Sequence, residues 1–446
     1  MTKLTVNLTK ELGPIKIMNA VNNGPVEPSI RKSYTNFYDY KALNIPYARN
    51  HDASFFTGYG GEHTVDVHRI FRNFDADEND PASYIFEPTD RYVKVTYDAG
   101  TKVFYRLGAS IEHNYKFGTR VPKDFAKWAR ICEHIIRHYN EGWADGFEYG
   151  IEYWEIWNEP ECQNSETNHP CWQGTSEEFI DLYCTTATHL KKCFPNIKIG
   201  GPAFCSSFMD VQMRVDFLDR VAKDGIPLDF YSYHWYGKEF YKLEKAITVA
   251  RSALDERGLK NTETILNEWN YIRGWKGEDW NYSLNSERGL KGSSFIAAAM
   301  AIGQALPLDM LMYYDARPCV MNGLFAPMTY EPLKGYYSFV MFDKLAKLGR
   351  YTECEYSKDD VYACAATNGD ESGIMLTYYN ENDDSEEKSV ELEIESDSEL
   401  SKAEVFILDK ENNLAPRYYQ YITSKKYALI INLKVHESAY VKITKG

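Results

Sequence analysis

The sequence predicts a TIM-type (β/α)8 barrel of the α/β class, joined to an accessory antiparallel β-sandwich. Three observations support this prediction. Short apolar runs alternate with amphipathic segments between residues 15 and 350. After Gly349 the helical periodicity disappears, and short alternating segments separated by turn residues follow. The chain has 446 residues, and a barrel uses about 250 residues or more, so room remains for a second domain.

Each predicted barrel strand is a short apolar run followed by polar or turn residues. The eight strands are Ile15–Met18, Ile45–Asn50, Lys102–Leu107, Tyr153–Asn158, Ile197–Gly200, Phe230–His234, Thr264–Asn267 and Met310–Tyr314. Apolar residues at steps of three and four predict helices between them, over 123–139, 176–193, 210–223, 241–258, 287–305 and 332–348. Strands and helices in alternation favour a parallel sheet, and eight such units favour a closed barrel.

Alternating apolar and polar residues predict the strands of the sandwich. They are Val361–Ala366, Gly373–Tyr379, Ser389–Ile394, Ala403–Leu408, Tyr427–Leu433 and Ala439–Ile443. A first strand at Leu4–Leu8, followed by a turn at Gly13-Pro14, is expected to join them. The predicted domains are therefore the barrel at 15–350 and the sandwich at 1–14 plus 351–446.

The composition argues against several classes of partner. The formal charge is −15, whereas a nucleic-acid-binding protein needs a basic patch. No stretch of 18 apolar residues is present, so no membrane partner is expected. Nine cysteines without a regular spacing indicate reduced thiols, and the first residues carry no apolar leader. These features predict a cytoplasmic protein.

Two segments carry the strongest chemical signal. In 152–160, alternating residues predict a strand that ends in Asn158-Glu159-Pro160, since proline has no N–H to donate. In 264–270, the run Asn267-Glu268-Trp269-Asn270 ends the seventh barrel strand in the same way. A carboxyl in an apolar site keeps its proton more easily than one in water. Two such carboxyls are what glycoside cleavage requires, so Glu159 and Glu268 are the candidate catalytic residues.

Active sites of these barrels lie at the carboxyl ends of the strands. Polar and aromatic residues gather at several of those ends. The candidate substrate-binding residues are Arg49, His51, Asn158, His234, Tyr236, Trp269, Tyr314 and Asp315. For most of them packing or ion pairing is an open alternative, and for Trp269 packing in the core or in a lid is equally compatible with the sequence.

A loop from Cys162 to Cys171 contains His169. Zinc sites usually have four ligands at tighter, repeated spacing, so no metal is predicted there. A disulfide between the two cysteines would require export of the protein. Acid–base cleavage of a glycoside needs no cofactor.

The two carboxylate segments resemble those of glycoside hydrolase family 39, a clan A family. Further similarity lies in Arg49-Asn50-His51-Asp52, in residues 65–71, and in the distance from Glu159 to Glu268. The resemblance implies a retaining glycosidase, with Glu159 as acid/base and Glu268 as nucleophile. Long βα loops at 52–100 and 269–290, which could close one end of a cleft into a pocket, favour exo action. Asn158 would bind the sugar 2-hydroxyl, Arg49 would keep Glu268 ionised, and Tyr236 or His234 would orient it.

β-Xylosidase is the activity that this resemblance favours, acting on a small oligosaccharide or glycoside. An α-L-iduronidase-like enzyme stays an alternative, because Arg273, Lys276 and Arg317 could bind a uronate. Further alternatives are an arabinofuranosidase- or galactosidase-type enzyme, a non-catalytic carbohydrate-binding barrel and an interaction protein that uses the sandwich. The resemblance also implies a homo-oligomer.

Overall fold

The computed structural model describes residues 2–28, 34–51, 63–109, 118–162, 171–206, 212–356 and 359–446. Strand β1 (Thr2–Pro14) comes first, and eight parallel strands then close into the predicted barrel. They are β2 (Ile17–Asn22), β3 (Tyr47–Asn50), β4 (Lys102–Leu107), β5 (Tyr153–Ile156), β6 (Lys198–Phe204), β7 (Phe230–Gly237), β8 (Glu263–Tyr271) and β9 (Met310–Tyr313). All eight predicted strands are present, although several extend further than the apolar runs indicated.

Ten α-helices and one short 3-10 helix, Pro81–Ser83, occur in the described part of the chain. The α-helices are α1 (Phe37–Ala42), α2 (Val67–Ile70), α3 (Glu87–Asp98), α4 (Phe125–Asn140), α5 (Ser176–Cys193), α6 (Gln212–Asp224), α7 (Phe240–Asp255), α8 (Gly277–Glu287), α9 (Leu290–Ala305) and α10 (Lys334–Leu348). Thr175 and Glu178 form a capping box at the start of α5. Gly349 ends α10 in the left-handed region, at φ 88°. No helix of these ranges combines the length and the apolarity that crossing a membrane requires.

The barrel interior has an apolar floor and a polar top. The floor side chains come from alternate positions of the strands: Ala20, Tyr47, Phe104, Tyr153, Phe230, Ile265, Met310 and Met312. Two residues further along the strands the inward positions become polar, with Arg49 above Tyr47 and Glu155 above Tyr153. Since successive side chains point to opposite faces, the period of two places these charges above the floor and below the carboxyl ends of the strands.

A β-bulge in β8 changes which residues face the barrel interior. Tyr233 pairs with Leu266, but the next residue, His234, pairs with Glu268, so Asn267 is the extra residue. As a result both Asn267 and Glu268 project inward, where a regular strand would send one of them outward. The bulge is therefore what aims Glu268 into the site.

The remaining strands form a separate, mostly antiparallel sheet. They are β10 (Arg350–Tyr356), β11 (Val361–Thr367), β12 (Glu371–Tyr378), β13 (Lys388–Leu408), β14 (Asn413–Leu433) and β15 (Ser438–Lys445). The order is β1-β10-β11-β12-β15-β13-β14, and β1 also pairs with β13 in parallel, as the predicted recruitment of the N-terminal strand requires. Two predicted strands, Ser389–Ile394 and Ala403–Leu408, are one 21-residue strand, because the polar segment between them continues beside β14 across register shifts.

The barrel packs against this sheet through α9 and α10. One apolar core joins Phe295 of α9 to Tyr379 of the sheet, and Lys291 pairs with Asp383 at 2.9 Å. We propose domain boundaries at 14/15 and 350/351, which lie within one residue of the end of β1 at Pro14 and the start of β10 at Arg350.

Candidate active site

The backbone after β5 brings Asn158 and Glu159 to the top of the barrel. The strand ends at Ile156, and Trp157 and Glu159 adopt left-handed φ values of 79° and 48°, which is uncommon for non-glycine residues. Trp157 turns outward and packs edge-on against Trp172, at 5.1 Å between ring centroids. The alternation predicted through residue 159 was therefore wrong beyond Ile156, and Asn158 faces the interior together with Glu155.

The carboxylate of Glu268 is held by three side chains. Arg49 donates from Nη1 to Oε1 at 2.6 Å, and Tyr236 donates its hydroxyl to Oε2 at 2.9 Å. The Nε2 atom of His51 lies 3.2 Å from Oε1. Charge-assisted and directional contacts of this kind favour the ionised carboxylate and set its orientation.

Arg49 also connects the two candidate catalytic strands. Its side chain is fully buried and donates to Glu155 at 2.6 Å and to the Oδ1 atom of Asn158 at 2.7 Å. Glu155 in turn accepts from Ser232 and Asn267, each at 2.6 Å. Because Arg49, Ser232 and Asn267 all donate to its carboxylate, Glu155 serves as an internal counter-charge to Arg49.

Glu159 and Glu268 converge on His234. The Nδ1 atom of His234 lies 2.7 Å from Glu159, and Nε2 lies 3.5 Å from Glu268. A carboxylate oxygen of each glutamate and one ring nitrogen of the histidine all lie within 4.8 Å of one another. Both carboxyls are buried, so the predicted pair of carboxyls at the top of the barrel is present.

Both histidines of the site are neutral near pH 7. Burial lowers the pKa of His234 to about 4, and burial, with the charges of Arg49 and Arg106, lowers the pKa of His51 well below its ordinary value. The Nε atom of Arg106 donates to Nδ1 of His51 at 3.3 Å. The proton of His51 therefore resides on Nε2, from which it is donated to Glu268.

The burial of neutral His234 predicts that the folded protein loses stability in acid. Between pH 6.5 and 4 an unfolded chain protonates His234, whereas the folded protein keeps it neutral, so stability falls as the pH falls through this window. We expect His234 to contribute about 3 kcal/mol to the loss between pH 7 and pH 4. Urea unfolding at half-unit pH steps measures it, and His234→Gln is expected to flatten the dependence. An unchanged slope in that variant would contradict the prediction.

The other predicted residues take different positions. Asp315 accepts hydrogen bonds from Asn23 at 3.1 Å and from the backbone N–H of Arg317 at 2.6 Å, and Asn23 in turn accepts the backbone N–H of His51. Tyr314 lies 6.3 Å from Tyr236, ring to ring. Both lie beside the residues that surround Glu268.

Trp269 corrects one expectation. It is fully buried, packs edge-on against Tyr313 at 5.3 Å and faces Phe295 of α9 at 6.1 Å. Its side chain therefore belongs to the core between barrel and helices, because it follows the inward-pointing Glu268 in the strand. Trp275 instead lies beside the site, 5.3 Å from Tyr236 and 55% exposed.

Sequence reasoning missed Asn22 and Asn23. Asn22 accepts from Arg49 at 3.1 Å, and Asn23 accepts the hydroxyl of Tyr92 at 2.9 Å. The first barrel strand was predicted to end at Met18, so these residues were not considered as a strand end. The strand runs to Asn22, and the apolar pair Ala20-Val21 directly before Asn22-Asn23 contained the signal of a strand that ends in polar residues.

Three groups of side chains in the described ranges bring potential metal ligands within 4.8 Å of one another. One is the cluster of Glu159, His234 and Glu268 at the top of the barrel, and a second, Glu133, His189 and Cys193, lies elsewhere on helices α4 and α5. The third joins Glu159 to Cys162 and Cys205. The backbone N–H of Cys171 donates to the carbonyl of Cys162 at 3.1 Å, and no disulfide joins the two cysteines. His169 lies outside the described residues.

Two relatives share part of the sequence. A β-xylosidase from Caldicellulosiruptor saccharolyticus is 27% identical over 295 residues, which are 60% of this chain and 55% of that protein. A β-xylosidase from Geobacillus stearothermophilus is 29% identical over 182 residues, 37% of this chain and 33% of that protein. The chain thus spans about half or less of the length of these relatives.

Solved structures share the fold along the whole chain. A glucosidase from Croceicoccus marinus superposes with a TM-score of 0.79 at 21% identity, over 100% of this chain and 99% of that one. A monomeric β-xylosidase from Caulobacter crescentus CB15 gives 0.74 at 15% identity, over 100% of both chains. The sequence model of the glycosyl hydrolases family 39 matches residues 6–299. The chain belongs to glycosyl hydrolase family 39, as its motifs predicted.

Proposed function

We propose that the protein is a retaining exo-glycosidase that releases terminal xylose from β-xylosides by double displacement. The observation that carries this proposal is the approach of Glu159 and Glu268, since one carboxylate oxygen of each lies within 4.8 Å of the other. Retaining enzymes hold their two carboxyls about 5–5.5 Å apart, whereas inverting enzymes leave about 6.5–9.5 Å for a water molecule. The shorter spacing favours a covalent glycosyl-enzyme intermediate.

Glu268 is the proposed nucleophile. Arg49, His51 and Tyr236 converge on its two oxygens, so the carboxylate is charged and fixed in orientation before substrate binds. Attack on C1 of the sugar forms the glycosyl ester and expels the leaving-group oxygen. The hydrogen bond from Tyr236 weakens as Oε2 loses its charge, and Arg49 remains paired with Glu155.

Glu159 is the proposed acid/base. Two carboxyls this close cannot both ionise without a large repulsion, and the cationic partner at 2.6 Å lies on Glu268. The proton is therefore retained on Glu159, beside the neutral ring of His234. Glu159 gives this proton to the leaving oxygen and then takes one from the water that hydrolyses the ester.

Asn158 is the proposed ligand of the sugar 2-hydroxyl. Its Oδ1 atom accepts from Arg49, whereas Nδ2 is buried and has no hydrogen-bond partner among the described residues. A buried donor without a partner costs free energy until a ligand supplies an acceptor. A contact with the 2-hydroxyl that strengthens in the transition state contributes several kcal/mol in such enzymes, by order of magnitude.

The choice of xylose rests on the two related β-xylosidases. One observation favours a second candidate, a uronate. Arg317 follows Asp315 by two residues, and its Nε atom is buried with no hydrogen-bond partner within the described ranges. Arg273, by contrast, already pairs with Asp279 at 2.9 Å, so it is a weaker candidate than Arg317 for binding the carboxylate of a uronate.

A panel of 4-nitrophenyl glycosides tests the proposal: β-xyloside, α-L-arabinofuranoside, β-galactoside, β-glucoside, β-glucuronide and α-L-iduronide. We expect the highest kcat/KM on the β-xyloside, with β-xylose as the first product in an NMR time course. Preference for a uronide that Arg317→Met abolishes would transfer the assignment to the second candidate. Binding of sugar without turnover of any member would instead support a non-catalytic barrel.

The cytoplasmic location and the homo-oligomer stay predictions, as does the absence of nucleic-acid and membrane partners. Light scattering on a sizing column measures the oligomeric state directly.

A further inference from the structure

Two thiols meet at the carboxyl of Glu159. Cys162 lies in the turn that follows β5, and Cys205 comes directly after β6. Because β5 and β6 are neighbours in the parallel barrel, their carboxyl ends are adjacent, although the two cysteines are far apart in the sequence. Their Sγ atoms and a carboxylate oxygen of Glu159 all lie within 4.8 Å of one another.

Hydrogen bonds fix the backbone around these residues. The N–H of Glu159 donates to the carbonyl of Ala203 at 2.9 Å, and the N–H of Cys162 donates to the carbonyl of Glu159 at 2.9 Å. The N–H of Cys205 donates to the carboxyl of Glu161. These bonds join the two strand ends, so the three ligand atoms are brought together by main-chain geometry.

The surroundings of the two thiols are acidic. Glu161 places one oxygen against the Cys205 N–H, while its Oε2 atom is buried without a hydrogen-bond partner among the described residues. A cation at this point would have two carboxyls, those of Glu159 and Glu161, and two thiols around it.

The donor set selects a soft metal ion. Thiolate sulfur favours Zn²⁺ and Cd²⁺, whereas Mg²⁺ and Ca²⁺ prefer oxygen ligands. At a tetrahedral zinc the ligand atoms lie roughly 3.5–4 Å apart, given metal–sulfur bonds of about 2.3 Å. Ligand atoms already within 4.8 Å need only small side-chain rotations to reach this spacing. Cys162 and Cys205 are half-buried, so an ion can enter.

We propose that Cys162, Cys205 and Glu159 bind a thiophilic divalent cation, Zn²⁺ or Cd²⁺, and that the bound ion inhibits the enzyme. Binding releases the two thiol protons and the carboxyl proton of Glu159 to water, so the metal occupies the carboxyl that would otherwise donate its proton to the leaving group. The inhibition rests on the proposed role of Glu159, whereas the binding does not. The site is thus a regulatory one, distinct from any cofactor of the reaction.

The binding test uses the reduced full-length protein and CdCl₂, followed through the ultraviolet charge-transfer band of cadmium thiolate. We expect one tight site in the wild type, and at least tenfold weaker binding in Cys162→Ser and in Cys205→Ser. Cys193→Ser is the matched control, because it removes a half-buried thiol from the other Glu/His/Cys cluster. It is expected to keep the tight site.

The inhibition test measures hydrolysis in ZnCl₂ with and without EDTA. Cys205→Ser is expected to keep the basal rate and to require at least tenfold more Zn²⁺ for half inhibition, and EDTA is expected to restore the wild type. Equal inhibition of wild type and the double serine variant would place the ion on Glu159, His234 and Glu268 and overturn the proposal. A cadmium band of unchanged strength in the serine variants would also overturn it. So would the finding that the metal-resistant protein is a disulfide form, whose mass is two hydrogens lower until a reductant restores it.

The cadmium band needs no substrate. An inactive wild type with the expected band would therefore refute the proposed function and leave the metal site in place.

Discussion

Glu268→Ala is expected to lower kcat on 4-nitrophenyl β-xyloside by roughly 10⁴- to 10⁶-fold, the range seen when a nucleophile is removed from a preorganised site. The reason is that Arg49, His51 and Tyr236 are arranged around the charge of this one carboxylate. Without it no glycosyl ester forms. Steady-state kinetics measure the loss, and Trp fluorescence shows that the fold is kept.

Azide distinguishes a lost nucleophile from general damage. It fits the space left by the carboxylate and is expected to restore turnover with formation of the α-xylosyl azide, whose anomeric configuration is inverted. The matched control is Glu263→Gln, at the opposite end of the same strand, where the carboxyl pairs with Lys198 at 2.7 Å. Its activity is expected to stay within a factor of about three of the wild type. Wild-type activity in Glu268→Ala would refute the mechanism.

Glu159→Ala has the second largest expected effect. Loss of general acid catalysis lowers kcat by about 10²- to 10⁴-fold for substrates with poor leaving groups, such as xylobiose. The first step is much less affected for 2,4-dinitrophenyl β-xyloside, because this leaving group needs no proton. The alkaline limb of the pH–rate profile, which reports loss of the proton from the acid, is also expected to disappear.

Azide gives the opposite product in this variant. The nucleophile Glu268 is present, so azide attacks the glycosyl ester and forms the β-xylosyl azide. Glu152→Gln is the control at the other end of β5, since Glu152 directly precedes the strand and lies beside Lys198, 3.1 Å away. Equal loss for good and poor leaving groups would show that Glu159 is not the acid.

Much of the site followed from the sequence because it depends on local patterns. The alternation of apolar runs and amphipathic segments predicted eight strands in the right places, and the carboxyl ends of parallel strands must meet. The polar residues at those ends, from Arg49 to Asp315, were therefore expected on one face. Motif spacing then connected Glu159 to Glu268 through the family resemblance.

Local irregularities of the backbone could not be predicted in this way. The left-handed residues Trp157 and Glu159 reverse the expected alternation, and the bulge at Asn267 turns Glu268 inward. Both depend on what packs nearby: Trp157, for example, lies against Gly108, where an added Cβ would come within 2.7 Å of its ring. Such close approaches involve residues distant in sequence.

The residues by themselves determined the order of strands and helices, the glycosidase family and the two candidate catalytic carboxyls, since periodicity and short motifs are local properties of a chain. Only the tertiary structure decided which atoms meet: that Arg49 lies between Glu155 and Glu268, that Trp269 is core, and that Cys162 faces Cys205. Barrel closure and strand register bring these residues together across long stretches of chain. Their hydrogen bonds and ion pairs therefore form only in the folded barrel.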